Sequence, residues 1–166
     1  MFNVIDKLAP QATLPARPAD DERTRQPVTI FVGHGRNTQW RDLKDHLHEK
    51  HGYAVVAYEI GARAGHAIRD ILEEMLESSS MAFLVMTGED EGRSGELRAR
   101  QNVIHEIGLF QGRLGFAKAV VLIEEGVEEF SNIHGIQQIC FTKGGIRETY
   151  GDVVATIRRE FPDDAA

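Results

Sequence analysis

No proline occurs between Pro27 and Pro162. Proline removes a backbone donor and is excluded from helix interiors and central strands, so the proline-free body 28–161 is expected to be the folded domain. A polar, flexible arm (1–27) holding four of the five prolines precedes it, and the acidic tail 162–166 follows. The single cysteine, Cys140, excludes an internal disulfide. Within the apolar run IQQICF it reads as a small core residue of a protein kept in a reducing cytoplasm. No apolar run approaches the ~20 residues of a membrane span, and the N-terminus lacks the basic-then-apolar order of a signal peptide. Basic residues are in deficit, 19 against 26 acidic ones, for a formal charge of −7. That balance argues against a nucleic-acid binder but not against a small anionic ligand held by a few placed donors. With 166 residues, 42% of them hydrophobic, the chain suits one domain that needs no metal or disulfide staple.

What the body contains is short apolar runs alternating with helical periodicity. VTIFV (28–32), AVVAYE (54–59), MAFLVMT (81–87), KAVVLIEE (118–125) and the weaker IQQICFT (136–142) read as strands. Helices are expected from about Thr38 (Trp40, Leu43 and Leu47 on one face, Gly52 as stop), then through Ile68, Ile71, Leu72, Met75 and Leu76. Two more follow, across RQNVIHEIGLF (100–110) and over Val153, Val154, Ile157 and Phe161. This alternation predicts an α/β, doubly wound fold: a five-stranded parallel sheet in the order 2-1-3-4-5, flavodoxin-like, with helices on both faces. Its strand order reverses between the first and third strands. The ligand crevice is therefore expected there, flanked by GHGRN (33–37) and GEDEGRSGE (88–96).

In the first of these loops, Gly33 and Gly35 would let backbone N–H groups approach a phosphate, and Arg36 could add a bidentate contact. His34 lies between the glycines. Thr38 replaces the third glycine of a dinucleotide fingerprint, so a plain tight turn is an equal alternative. Glu59, ending the second strand, stands where a ribose-binding acid would. On the third helix, Val103, Ile107, Phe110 and Leu114 share one arc at ~100° per residue. Asn102 and Glu106 flank it, and His105 points away. Glu106 is expected half-buried at the core rim with no basic neighbour three or four residues off, where its environment could tune it; a solvated helix acid is the plainer alternative. His48 and His51 in HLHEKH lack the HExxH order, and GEDE (88–91) lacks calcium-loop spacing, so no metal site is expected.

Four stretches in order carry a resemblance: TIFVGHGRN (29–37), MTGEDEG (86–92), RARQNVIHEIGLFQGRLG (98–115) and NIHGI (132–136). Together they resemble the prokaryotic TIR-like nucleotide-binding domains of anti-phage effectors, often fused to STING-type or other cyclic-nucleotide sensors. The resemblance implies cleavage of the nicotinamide–ribose bond of NAD+ to give nicotinamide and ADP-ribose or a cyclic form of it, with NAD+ as substrate and no separate cofactor. The family's catalytic glutamate falls on Glu106. Arg100 and Asn102 fall on other polar signature positions, Gly33, His34, Gly35 and Arg36 on the first nucleotide-contacting loop, and Asp90 is a secondary positioning candidate. GARAG (61–65) occupies the place of the loop that helps TIR domains assemble, so self-association on activation is implied, with a cyclic-nucleotide sensor domain or chain as partner. Phe130, where proline is expected, and Gln101, where some relatives have an acid, depart from the pattern.

One carboxylate suffices for that chemistry. Glycoside cleavage ordinarily needs a second carboxyl to protonate the leaving oxygen, whereas nicotinamide leaves from a cationic nitrogen. Two other readings stand beside it: a non-catalytic TIR-like nucleotide-sensing or assembly module, and a flavodoxin-like nucleotide binder unrelated to immunity.

Overall fold

The computed structural model describes residues 27–59, 67–130, 133 and 136–164. Its strands are β1 (Thr29–Gly33), β2 (Ala54–Val56), β3 (Met81–Met86), β4 (Asp90–Glu91), β5 (Leu97–Arg98), β6 (Ala119–Glu124) and β7 (Gln138–Phe141). Five of them form one parallel sheet in the order β2-β1-β3-β6-β7, the doubly wound order read from the sequence. Every residue of β3 and β6 is buried, as continuous apolar runs in the middle of a doubly covered sheet require. β1 divides its side chains between two helical layers, because alternate residues of a strand point to opposite faces. Ile30 and Val32 pack with α1 (Gln39–Asp45) and α4 (Tyr150–Glu160). Phe31 packs with α2 (Ile68–Ser78) and α3 (Gln101–Leu114).

Several details differ from the sequence reading. The loop GEDEGRSGE is not irregular throughout, since β4 lies within it and pairs antiparallel with β5 directly after it, Asp90 opposite Arg98 and Glu91 opposite Leu97. Cys140 is exposed rather than a core residue. β7 is an edge strand whose buried residues, Ile139 and Phe141, both belong to the α1–α4 layer. Cys140 alternates to the other face of this edge strand and is left open there. Ile68 is 67% exposed at the start of α2, outside the buried stripe of Ile71 and Met75. α1 runs on into a π-helical turn, His46–Lys50. That wider turn brings residues five apart together: His46 and His51 meet with Nε2 atoms 3.3 Å apart, and His46 stacks on Tyr150. Among the described residues no group of three or more His, Cys, Asp or Glu side chains is placed to hold a metal ion, and no helix is long and apolar enough to cross a membrane. The GARAG segment, most of NIHGI and the arm up to Gln26 lie outside the described residues.

Candidate active site

The site is built where α3 climbs past the end of β1. Four helical residues rise about 6 Å, close to two residues of strand, so contacts between the two elements repeat at those intervals. Phe110 stacks on Phe31 in the core, ring centroids 4.2 Å apart. One turn nearer the cleft, Glu106 lies over Gly33, two residues on from Phe31. A Cβ on Gly33 would come within 2.8 Å of Glu106 Oε2. One further turn on, Asn102 Nδ2 reaches towards the His34 carbonyl at 3.4 Å. A side chain at position 33 has no room, because Leu84 Cδ1, 2.5 Å from that Cβ position, and the carboxyl of Glu106 fill the space.

Glu106 is buried more deeply than its helical position implies, at 7% exposure rather than half-buried. Its Oε2 has no hydrogen-bond partner. Burial pushes its pKa up to about 7, and a hydrogen bond from the Asn102 side chain opposes only part of that shift. A second buried carboxylate shows what a structural role looks like. Glu124, 5% exposed at the end of β6, accepts from Gln39 Nε2 (2.9 Å), Gly144 N–H (3.0 Å) and Gly88 N–H (3.2 Å). It ties the start of α1 to the loops after β3 and β7 at the carboxyl end of the sheet. Glu124→Gln would set an amide donor against one of those N–H groups, at about 1–3 kcal/mol per orphaned buried donor. Urea unfolding should show that loss; an unchanged midpoint would mean that these three segments are held by other contacts.

The cleft itself, about 240 Å³, is lined by His34, Arg36, Trp40, Arg41, Tyr58, Glu59, Arg100 and Asn102 among others. His34 lies flat on Trp40, centroids 3.7 Å apart at 8°. Its Nδ1–H donates to the Gly35 carbonyl at 2.7 Å, the only sense in which that pair can bond. Burial lowers the ring's pKa, against the opposing pull of the Gly35 and Tyr58 backbone and of Glu59 and Glu89. The neutral ring keeps a buried Nε2 without a hydrogen-bond partner. Two buried acceptors, on His34 and Glu106, are thus left for a donor from outside.

The structure brings His34, Gly35, Arg36, Arg100 and Asn102 to one cleft; Gly33 and Glu106 meet each other next to His34 and Asn102 but are not among its lining residues. Asp90 does not join them; it is exposed in β4, opposite Arg98. The neighbouring Glu89 is the acid that meets the first loop, accepting from the Arg36 and Asn37 N–H groups at 2.7 and 3.2 Å. The crevice is accordingly displaced from its expected place. The loops after β1 and β3 are bonded to each other through Glu89, and the opening lies on the other flank, towards Tyr58 and Glu59 at the end of the second strand segment. Trp40, Arg41 and Tyr58 carried no sequence signal beyond apolar periodicity or surface charge. Glu59 did, through its position at a strand end.

The CAP12/Pycsar effector protein TIR-domain family matches residues 29–143, from β1 to just beyond β7, and so spans the whole sheet and every cleft residue named above. The uncharacterized protein YuaY of Escherichia coli (strain K12) is 40% identical over 76 residues, which are 41% of this chain and 25% of that protein. The chain thus spans about a quarter of that relative's length. The crystal structure of a diflavin flavoprotein A3 from Nostoc sp. is similar over 84% of this chain and 90% of that one, at 15% identity and a TM-score of 0.41. The fold itself rests on the strand order.

Proposed function

Because the chain belongs to the CAP12/Pycsar effector TIR-domain family, and is thus a TIR-like anti-phage effector domain, we propose that its cleft binds NAD+ and hydrolyses the nicotinamide–ribose bond. The observation that carries this reading is Glu106: a buried carboxyl with an unpartnered oxygen and a pKa of about 7, set against Gly33, the residue before His34 of the cleft. Ionising such a group costs folding energy that the Asn102 hydrogen bond recovers only in part. A cationic, hydroxyl-bearing ligand would recover the rest.

In the reaction the C1′–N bond breaks and its electron pair passes to the nicotinamide nitrogen, neutralising the ring. Positive charge gathers on the ribose, and water adds at C1′ with release of a proton. Ionised Glu106 attracts that ribose more strongly as its charge develops, which is the differential binding that lowers a barrier. Asn102 holds the carboxyl from the cleft side. The unpartnered Nε2 of His34 is an acceptor for a ribose hydroxyl. Arg36, Arg41 and Arg100 supply positive charge for the pyrophosphate in a chain that is acidic overall. Activity follows self-association, and a cyclic-nucleotide sensor supplies the trigger, with the reaction depleting cytoplasmic NAD+.

The test is incubation of artificially clustered protein with NAD+, following nicotinamide release; an inert clustered protein leaves only the non-catalytic sensing or assembly module. The pH dependence is a second check. The ionised form of Glu106 does the work, so kcat/KM should rise with pH through about 7. Bound substrate cation favours the carboxylate, so the kcat limb should lie at lower pH than the kcat/KM limb. A profile that falls through this range would make Glu106 a proton donor instead.

A further inference from the structure

We infer that Glu89 is a positioning residue of the cleft: its carboxylate ties the Gly35–Asn37 backbone to the end of β3 and, by filling that loop's donors, leaves recognition of a phosphate-bearing ligand to the Arg36, Arg41 and Arg100 side chains. The second clause reverses what the glycines of GHGRN suggest. Main-chain N–H groups beside glycines are free to cradle a phosphate only if nothing internal has taken them. Here the Arg36 and Asn37 N–H groups donate to Glu89 Oε2 and Oε1, and the Thr87 hydroxyl donates to Oε1 at 2.7 Å. Gly35 serves the same contact, because a Cβ there would fall inside the Glu89 carboxylate.

Glu89 is itself held from both sides. Its N–H donates to the Arg98 carbonyl at 3.0 Å, and the preceding Gly88 N–H donates to Glu124. The acid is thus part of the frame. A phosphate seeking the same two N–H groups would have to displace a negative group that has three donors already in place. The guanidiniums carry no such obstacle. Arg36, Arg41 and Arg100 all line the cleft, and among the described residues none of the three is ion-paired. Arg41 also lies 5.4 Å from the centroid of the Trp40 ring on which His34 stacks.

The link to the reacting group runs through one residue. The His34 carbonyl, directly before Gly35, meets Asn102, and Asn102 hydrogen-bonds Glu106. Loosening the loop should therefore disturb the carboxyl without touching it.

The experiment uses the full chain with Glu89→Ala, Glu89→Gln, Arg41→Gln and Arg100→Gln. Three readouts apply: amide hydrogen exchange, inorganic pyrophosphate binding by calorimetry, and NAD+ turnover in clustered protein. Glu89→Ala should speed exchange at the Arg36 and Asn37 amides while the sheet amides keep their protection, and Glu89→Gln, which keeps an acceptor, should restore part of it. Each arginine variant should bind pyrophosphate about tenfold more weakly than wild type. The kcat of Glu89→Ala should fall about tenfold with KM changed less. Glu89→Gln that exchanges at the Arg36 and Asn37 amides as fast as Glu89→Ala would overturn the inference, since an acceptor at that position would then not hold the loop. So would unchanged exchange at the two amides, or arginine variants that bind as wild type does. The kcat arm rests on the NAD+ reading. The exchange and pyrophosphate arms do not, so absence of turnover would sink that reading and leave this one standing on its own results.

Discussion

Glu106→Gln is expected to lower nicotinamide release on the order of 10³-fold in a chain that remains folded, because it removes the one negative charge aimed at the developing cation. The same substitution should stabilise the fold at alkaline pH. A carboxyl whose folded pKa is raised from 4.5 to about 7 binds more protons in the folded than in the unfolded state between those values. Stability therefore falls as pH rises through that window. At 1.36 kcal/mol per pKa unit the full cost above pH 7 is about 3 kcal/mol. Glutamine has no charge to bury and escapes it. Relative to wild type, the variant should gain little or nothing at about pH 4.5 and about 3 kcal/mol at about pH 8, read by urea unfolding at the two pH values. A difference that does not vary with pH would mean that the carboxyl is not held up by burial. A variant that cleaves NAD+ as wild type does would move the reacting group elsewhere. A destabilising charge that vanishes together with activity marks a residue kept for chemistry rather than for the fold.

Much of this architecture was legible in the sequence because it depends on local pattern. Apolar runs alternating with helical stripes led to the parallel sheet and its strand order, and the spacing of four placed Asn102 and Glu106 on one flank of α3. What escaped depends on residues far apart in the chain. The depth of Glu106 is set by Gly33, 73 positions away. Periodicity places a side chain around a helix but says nothing of what the sheet presents opposite it. Glu89 was passed over for Asp90 because adjacent acids in a polar loop differ only in what they reach, and Glu89 reaches back across 53 residues to Arg36. Cys140 was misjudged for a related reason. An apolar run predicts burial, but an edge strand covered on one face exposes every second member.

Gly33→Ala should be strongly damaging, because its methyl would meet buried side chains. Its Cβ would stand 2.5 Å from Leu84 Cδ1, 2.8 Å from Glu106 Oε2 and 3.1 Å from Phe31 Cε1. Leu84 and Phe31 are fully buried, so neither can swing into solvent, and β1 is paired on both sides. Overpacking of this kind costs about 1–3 kcal/mol. The element with most freedom to yield is α3, and moving it carries Glu106 with it. A displacement of about 1 Å at the reacting group can cost 10²-fold in rate, so activity should fall by about that factor even at temperatures where the variant is folded. Gly108 and Gly112, on the same helix, provide the control. A Cβ at either meets nothing within 4 Å, so alanine there should stabilise α3 by up to about 1 kcal/mol through helix propensity alone. Melting curves and nicotinamide release for the three variants decide the matter. If Gly33→Ala melts and turns over like Gly108→Ala, the close approach of β1 to Glu106 does not hold, and the explanation of that carboxyl's burial goes with it.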